Sequence, residues 1–210
     1  MTALRKIALV VGSTRPTRIG PQIATWVSSI LKSGIAESQA QYTVLDIAQF
    51  NLPSFSEPTV PRFVKDLDQF SNPEAKTWNK EIAKYDGYII ISPEYLESIP
   101  GTLKNAIDLL FHAWTGKPAL IVTYGVFGGA YANQHLRQIL GEGVGMKVVD
   151  ISPKLEFPGR DELKNNTSPA LFEATKGTVS KDTLSFWETT NSKDIVEGTK
   201  ELLKLTKSET

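Results

Sequence analysis

Short, continuous apolar runs alternate along this chain with stretches whose apolar residues recur at helical spacing, and that alternation leaves few folds open. The runs are "KIALVV" (6–11), "YTVLDI" (42–47), "YIIIS" (88–92), "ALIVTY" (119–124) and "MKVVDI" (146–151). Unbroken and rich in branched residues, they suit strands buried on both faces. Ile23, Val27, Ile30 and Leu31 mark a helix after the first run, Leu103, Ile107, Leu110 and Trp114 one after the third, and Leu136, Ile139 and Leu140 one after the fourth. Residues 48–61 carry Pro53, Pro58 and Pro61 and read as a loop. Residues 62–85 read as helix in two pieces broken near Asn72-Pro73, with Trp78, Ile82 and Tyr85 on one face; a closing helix is expected from about Asp194 to Leu205. Strands that alternate with helices form a mostly parallel sheet covered on both faces. Crossovers are right-handed in about 98% of cases, so the expectation is an α/β, doubly wound, five-stranded parallel sheet of order 2-1-3-4-5. Residues 152–191 break the rhythm with Pro153, Pro158, Gly159 and Pro169, and read as an insertion or extended connection before the last helix. Residues 1–210 are expected to form a single domain, a size that buries roughly 70% of the unfolded surface.

Composition removes several functions. The formal net charge is zero, so no global field recruits nucleic acid or an anionic membrane, and any anion site has to be local. The chain has no Cys, which excludes disulfides, thiolate catalysis and cysteine metal sites; its imidazoles are His112 and His135, so no metal site is expected. Neither a signal peptide nor an apolar run of membrane-spanning length is evident, and the expected location is the cytoplasm.

In the expected topology the loops after strands 1, 3 and 4 meet at one rim. "GSTRPTRIG" (12–20) suits an anion. Backbone N–H groups at a helix start are unpaired, and the helix dipole favours negative charge there by ~0.3–1 kcal/mol. Ser13, Thr14 and Thr17 can add hydroxyl hydrogen bonds, and Arg15 and Arg18 charge-assisted ones worth ~1.5–3 kcal/mol each. A bland alternative has Ser13 capping the helix and both arginines in water. The stretch is neither GxGxxG nor GxxxxGK[ST], which counts against a classical dinucleotide fold and a P-loop. "SPEYLESIPG" (92–101) is stiffened by Pro93 and Pro100 and offers Tyr95 and Leu96 as a flat apolar surface. "TYGVFGGA" (123–130) has Gly125, Gly128 and Gly129, which allow close backbone approach or positive φ. A phosphate end and a ring end on one rim fit a flavin mononucleotide better than a free sugar phosphate.

With "GSTR", "SPEYLESIPGTLKNAID" (92–108) and "GKPALIVTYGVFGG" (116–129) in this order and spacing, the chain resembles the NAD(P)H-dependent FMN reductase and quinone reductase family, on the flavodoxin-like fold. The resemblance covers about residues 4–150 and is closest to the fungal quinone reductases. It implies tightly but non-covalently bound FMN, with NADPH or NADH as electron donor and a quinone, free flavin or related small molecule as acceptor, in ping-pong order. By motif position Ser13, Arg15, Arg18, Ile19 and Gly20 would hold the phosphate, Pro93, Glu94, Tyr95 and Leu96 would line the isoalloxazine, and Tyr124, Gly125, Gly128 and Gly129 would close the other side. A homodimer is also implied. Leu96 departs from the Asn that the family usually has there, and Arg18 from a common Ser.

No side-chain catalyst is expected, because the cofactor carries the chemistry. Lys104 and Asp108 read as an ordinary i,i+4 surface pair, Asn105 as fixing the preceding loop, and His112 as structural more than substrate-facing. The rival reading is an FMN-binding electron carrier or redox-responsive binding module that hardly oxidises NAD(P)H, although typical acidic carriers have an excess of carboxylates that is missing here. The 152–191 segment, which has no counterpart in the resemblance, could cover the site or extend a dimer contact; a third reading has it and Leu96 disabling the site.

Overall fold

The computed structural model describes residues 4–161 and 167–206. Its strands are β1 (Arg5–Val11), β2 (Ala40–Asp46), β3 (Gly87–Pro93), β4 (Pro118–Gly125), β5 (Lys147–Val148) and β6 (Lys154–Glu156). Its α-helices are α1 (Gly20–Gly34), α2 (Pro73–Ile82), α3 (Gly101–Asp108), α4 (Ala130–Arg137), α5 (Pro169–Thr175) and α6 (Lys181–Leu205). All strand pairings are parallel, in the expected order β2-β1-β3-β4-β5, with β6 also on β4.

Side-chain alternation divides the core. Ala8, Val10, Tyr88, Ile90, Ala119 and Ile121 face one side and pack with residues of α2, α3 and α4. Their neighbours Ile7, Leu9, Val11, Ile89, Ile91, Leu120 and Val122 face the other and pack with residues of α1 and α6. Every residue of β3 is buried, which is why its sequence is a continuous apolar run and not an alternation. Trp78 and Trp187 anchor the two layers; each is fully buried and donates its indole N–H to a backbone carbonyl, Ala106 at 2.8 Å and Glu156 at 2.7 Å.

Four local expectations need correction. The fifth strand does not run through 146–151: only Lys147–Val148 pairs with the start of β4, the chain bends, and Lys154–Glu156 rejoins β4 at Thr123–Gly125. The stretch before the last helix is therefore partly sheet. The last helix begins at Lys181 and not near Asp194, capped by Ser180, whose hydroxyl accepts from the Thr183 N–H at 3.3 Å. Residues 62–72 hold two short 3-10 turns and no α-helix; α2 starts at Pro73 behind the Asn72 cap. Asn105 fixes a different loop from the one expected: its side chain accepts from the Phe55 N–H at 2.7 Å and donates to the Pro53 carbonyl at 2.8 Å. The expected Lys104–Asp108 pair is present at 2.6 Å, and His112 hydrogen-bonds the Arg62 carbonyl at 2.9 Å, so it is held against the 61–63 turn.

Lys117, at the opposite end of the sheet from the three loops, lies against the ring of Tyr88 with its ammonium 3.0 Å from the phenol oxygen. Burial lowers its pKa to about 8 from an ordinary 10.5. The unfolded chain thus binds the extra proton between those values, and stability rises with pH across that window. Relative to a Lys117→Met variant, the wild type should be at its weakest below pH 8 and should gain as pH approaches 10.5. Melting temperatures of both proteins at pH 7 and pH 10 check this; a difference independent of pH contradicts it.

Candidate functional site

The crevice lies where the chain leaves β1 for α1 on one face and leaves β3 for α3 on the other. Ligands bind at such switch points because diverging helices leave a gap there. Gly12 starts the first loop and continues the ladder by donating to the Ile91 carbonyl at 2.9 Å. A Cβ on Gly12 would sit 2.7 Å from Leu103 Cδ2 and 3.2 Å from the Ile91 carbonyl oxygen, so a larger residue would force the buried Leu103 side chain to shift.

The floor of the crevice is a small buried knot. Ser13 is fully buried and accepts from the Tyr124 hydroxyl at 3.4 Å. A Cβ on Gly20 would come within 2.8 Å of the Ser13 hydroxyl and 3.2 Å of the Tyr124 hydroxyl, so glycine is what lets α1 start here. Burial pushes the Tyr124 phenol well above its ordinary range, and the hydroxyl stays protonated as a donor. Ser13 does not cap α1. The N-cap is Ile19, no side chain caps the helix, and no acidic residue lies in its first turn. The first amides of α1 are left as donors for something else.

The two arginines divide their roles. Arg18 pairs with Asp46 at the end of β2 and donates to the Arg15 carbonyl at 3.2 Å. Asp46 is itself fixed by the Ala48 N–H at 3.1 Å. Arg18 Nε is buried and has no hydrogen-bond partner, so this half-buried guanidinium retains a donor to offer. Arg15 is exposed and lies 5.8 Å from the centre of the Tyr95 ring, bridging the first and second loops.

The second loop is a tight hairpin. Tyr95 and Ser98 exchange backbone hydrogen bonds at 2.8 and 3.1 Å, and between them Leu96 and Glu97 have φ of 49° and 59°. Both central residues positive is the type I′ pattern, for which Asn-Gly is the favoured pair. Leu96 points into solvent at 101% relative exposure. The Glu94 carboxylate is engaged by α4: it accepts from the N–H groups of Tyr131 and Ala132 at 2.8 and 3.1 Å, capping that helix, whose own N-cap Gly129 has no side chain to do so.

The third loop uses its glycines for packing. Gly128 and Gly129 have φ of 66° and 74°, and added Cβ atoms would lie 2.7 Å from Lys154 Cβ and 2.9 Å from Thr123 Cβ. They seat the loop on β6 and β4 and do not line the crevice.

What the crevice encloses is a cavity of ≈ 180 Å³. One wall is Arg15, Thr17, Arg18 and Ile19; a second is Pro93, Glu94, Tyr95, Tyr124, Gly125 and Val126. A third is formed by Phe157, Leu171, Ala174 and Thr175, from the 152–191 stretch, none of them singled out by the sequence as a residue. Of the residues expected by motif position, Ser13 and Gly20 form the floor's support, Leu96 stands outside, and Gly128 and Gly129 lie behind the third loop. Asp46 was also missed; its signal was its place at the carboxyl end of the second strand, level with Arg18. A larger, open groove of ≈ 480 Å³ runs between α1 and α6 past Ser29, Glu188 and Lys193, but no loop at the strands' carboxyl ends reaches it.

These features define a flavodoxin-like α/β protein with a basic and aromatic cleft at the β1/β3 switch point. The chain belongs to the NADPH-dependent FMN reductase family, whose pattern it matches over residues 5–153, and it is an oxidoreductase of that family. It is 42% identical over 154 residues to an NAD(P)H-dependent FMN reductase of a Nectria species, an alignment spanning 73% of this chain and 76% of the relative. It is 35% identical over 141 residues to a 2-hydroxy-1,4-benzoquinone reductase of a Burkholderia species, across 64% of this chain and 69% of that one. The structure is similar to the flavoenzyme NAD(P)H:(acceptor) oxidoreductase FerB of Paracoccus denitrificans, with a TM-score of 0.63 at 20% identity, over 94% of this chain and 98% of that one; at this identity the likeness speaks for the fold alone.

Replacing Glu94 by Ala should free two amides at the start of α4 and lower the unfolding free energy by about 1–2 kcal/mol. Denaturant titration of the apo protein checks this; unchanged stability would show that the cap contributes nothing.

Proposed function

We propose that the cleft holds FMN and that the protein uses NADPH or NADH to reduce quinones, free flavin or related small acceptors. The observation that carries this reading is the convergence of three strand-end loops on one cleft that is cationic at one end and aromatic at the other. Bound there, FMN supplies hydride acceptance from the nicotinamide and electron delivery to the acceptor. The residues present fit it. The uncapped amides of α1, Arg15 and the unpartnered Nε of Arg18 suit a phosphate. Pro93, Tyr95, Tyr124 and Gly125 offer a wall for a planar ring, and Tyr124 brings a protonated hydroxyl. Ser13, Ile19, Gly20, Gly128 and Gly129 act in this reading by shaping the loops, and Glu94 by holding α4 against them. The enclosed volume is below the roughly 300–1,000 Å³ of a pocket for a whole drug-sized ligand, which fits a cofactor whose ring reaches over the open rim.

Purified protein should be yellow, and anaerobic NADPH should bleach it rapidly; protein that stays colourless with added FMN refutes the reading, and coloured protein that NADPH leaves unbleached is the electron carrier. Arg15→Ala and Arg18→Ala should each weaken FMN binding by about tenfold to a hundredfold, the loss of one charge-assisted hydrogen bond. Fluorescence titration of FMN measures it, and full retention in both variants removes the phosphate from this loop.

The proposal extends to a single domain that works in the cytoplasm, where nicotinamide reductants are abundant, and to a homodimer. Exposed Leu96, Phe127 and Tyr131 beside the cleft support a covered face, since apolar patches on a surface mark contacts. Light scattering should give twice the 23.1 kDa chain mass, and a concentration-independent monomer rules the dimer out.

A further inference from the structure

The family match ends at residue 153, yet the third wall of the cleft begins at Phe157. That wall is built with care for its position. Ser168 is buried and its hydroxyl accepts from the Leu171 N–H at 3.0 Å, starting α5. Leu171 and Ala174, three residues apart on one face, turn inward against the core layer shared by α1 and α6, while Phe172 faces solvent. The turn after α5 is clamped by one side chain. Gln22, in the first turn of α1, donates to the Gly177 carbonyl at 2.7 Å and accepts from the Val179 N–H at 3.1 Å. Gly177 takes φ of 82° there, and a Cβ on it would lie 3.6 Å from the backbone of Thr17 and Arg18. The helix is thus seated on the loop that carries both arginines.

We infer that α5, clamped by Gln22, closes the cationic end of the cleft and restricts it to mononucleotide flavins. The inference rests on the proposed function, with the FMN phosphate at Arg15 and Arg18. A monophosphate ends the ligand at that loop. A dinucleotide such as FAD has to continue past it, through the space that Leu171, Ala174 and Thr175 occupy. The same wall retards release, because the phosphate end leaves only if α5 moves or the whole cofactor withdraws over the rim. Gln22 is a positioning residue: it acts through α5 and does not line the cavity.

The test uses the full-length protein, FMN and FAD, with Gln22→Ala and Leu171→Ala as variants. Gln22 is exposed, so its removal leaves the buried face of α1 intact. The wild type should prefer FMN to FAD. Each variant should release FMN about tenfold faster, the order expected from losing one apolar wall contact in Leu171→Ala and the two clamping hydrogen bonds in Gln22→Ala, and its FMN-over-FAD preference should fall by a similar factor. A role confined to stability would lower the melting temperature and leave that preference untouched. If both variants bind FMN with wild-type release and wild-type preference, the closing wall is refuted and the proposed function stands. If the wild type binds no FMN at all, the proposed function fails, and this inference with it.

Discussion

The site depends on how the two faces of the sheet are divided. Because β1 sends the chain to α1 on one face and β3 sends it to α3 on the other, no helix covers the strand ends between them. The neighbouring strands are held in strict register, with Val11 level with Ile91 and Gly12 bonded to the Ile91 carbonyl. The crevice therefore cannot close by sliding of the strands. What can enter it is set by the loops, and the loops are held from behind: the first by the Ser13, Gly20 and Tyr124 knot, the second by its own hairpin, the third by glycines packed on Thr123 and Lys154.

Charge in the cleft follows the same economy. Asp46 and Glu94 beside the cleft are both spent on structure: Asp46 neutralises Arg18 and Glu94 caps α4. Neither repels an anion at full strength, since each already sits against a positive partner. Arg15 and the first amides of α1 remain as the uncompensated positive end. A protein with zero net charge can thus present a local anion site, and the pairing of Arg18 with Asp46 fixes the guanidinium's position without removing every donor it has.

The strands were legible because a parallel sheet buried on both faces writes itself as unbroken apolar runs. Where burial is one-sided or interrupted, the signal fades. "MKVVDI" looks like one strand, but after Val148 the chain bends, and the edge resumes at Lys154, beyond Pro153, whose carbonyl still accepts from Thr123. The first half of α6 was missed because it buries little, chiefly Thr183 and Trp187, among polar residues. The motif position places Glu94 on the cleft, where it does line the wall; that its carboxylate also caps α4 is visible only in the geometry. The 152–191 stretch stood out as a possible cover, but the residues that form the third wall carried no signal of their own, since Leu171 and Ala174 lie in a short helix with no fully buried residue. The motif-bearing loops were visible in the sequence, and the residues of the third wall were not.

Leu96 bears on whether the site is intact. A leucine at positive φ costs of order 1–3 kcal/mol relative to a residue that tolerates this conformation, and Asn tolerates it well. The hairpin nonetheless closes, with both Tyr95–Ser98 backbone bonds made and the Ser98 hydroxyl 2.9 Å from His135 Nδ1. The replacement therefore changes the turn's strain and its outer surface, but not the backbone path that places Pro93 and Tyr95 on the cleft. Because the side chain stands wholly in solvent, it removes nothing from the cavity wall. A site disabled by Leu96 would need that residue to block or distort the cleft, and it does neither. Of the described residues of the 152–191 stretch, Phe157, Leu171, Ala174 and Thr175 line the cavity wall and do not fill it. The Leu96 departure thus changes the outer surface of this rim, while the backbone beneath it keeps its hydrogen bonds and Pro93 and Tyr95 keep their place on the cleft wall.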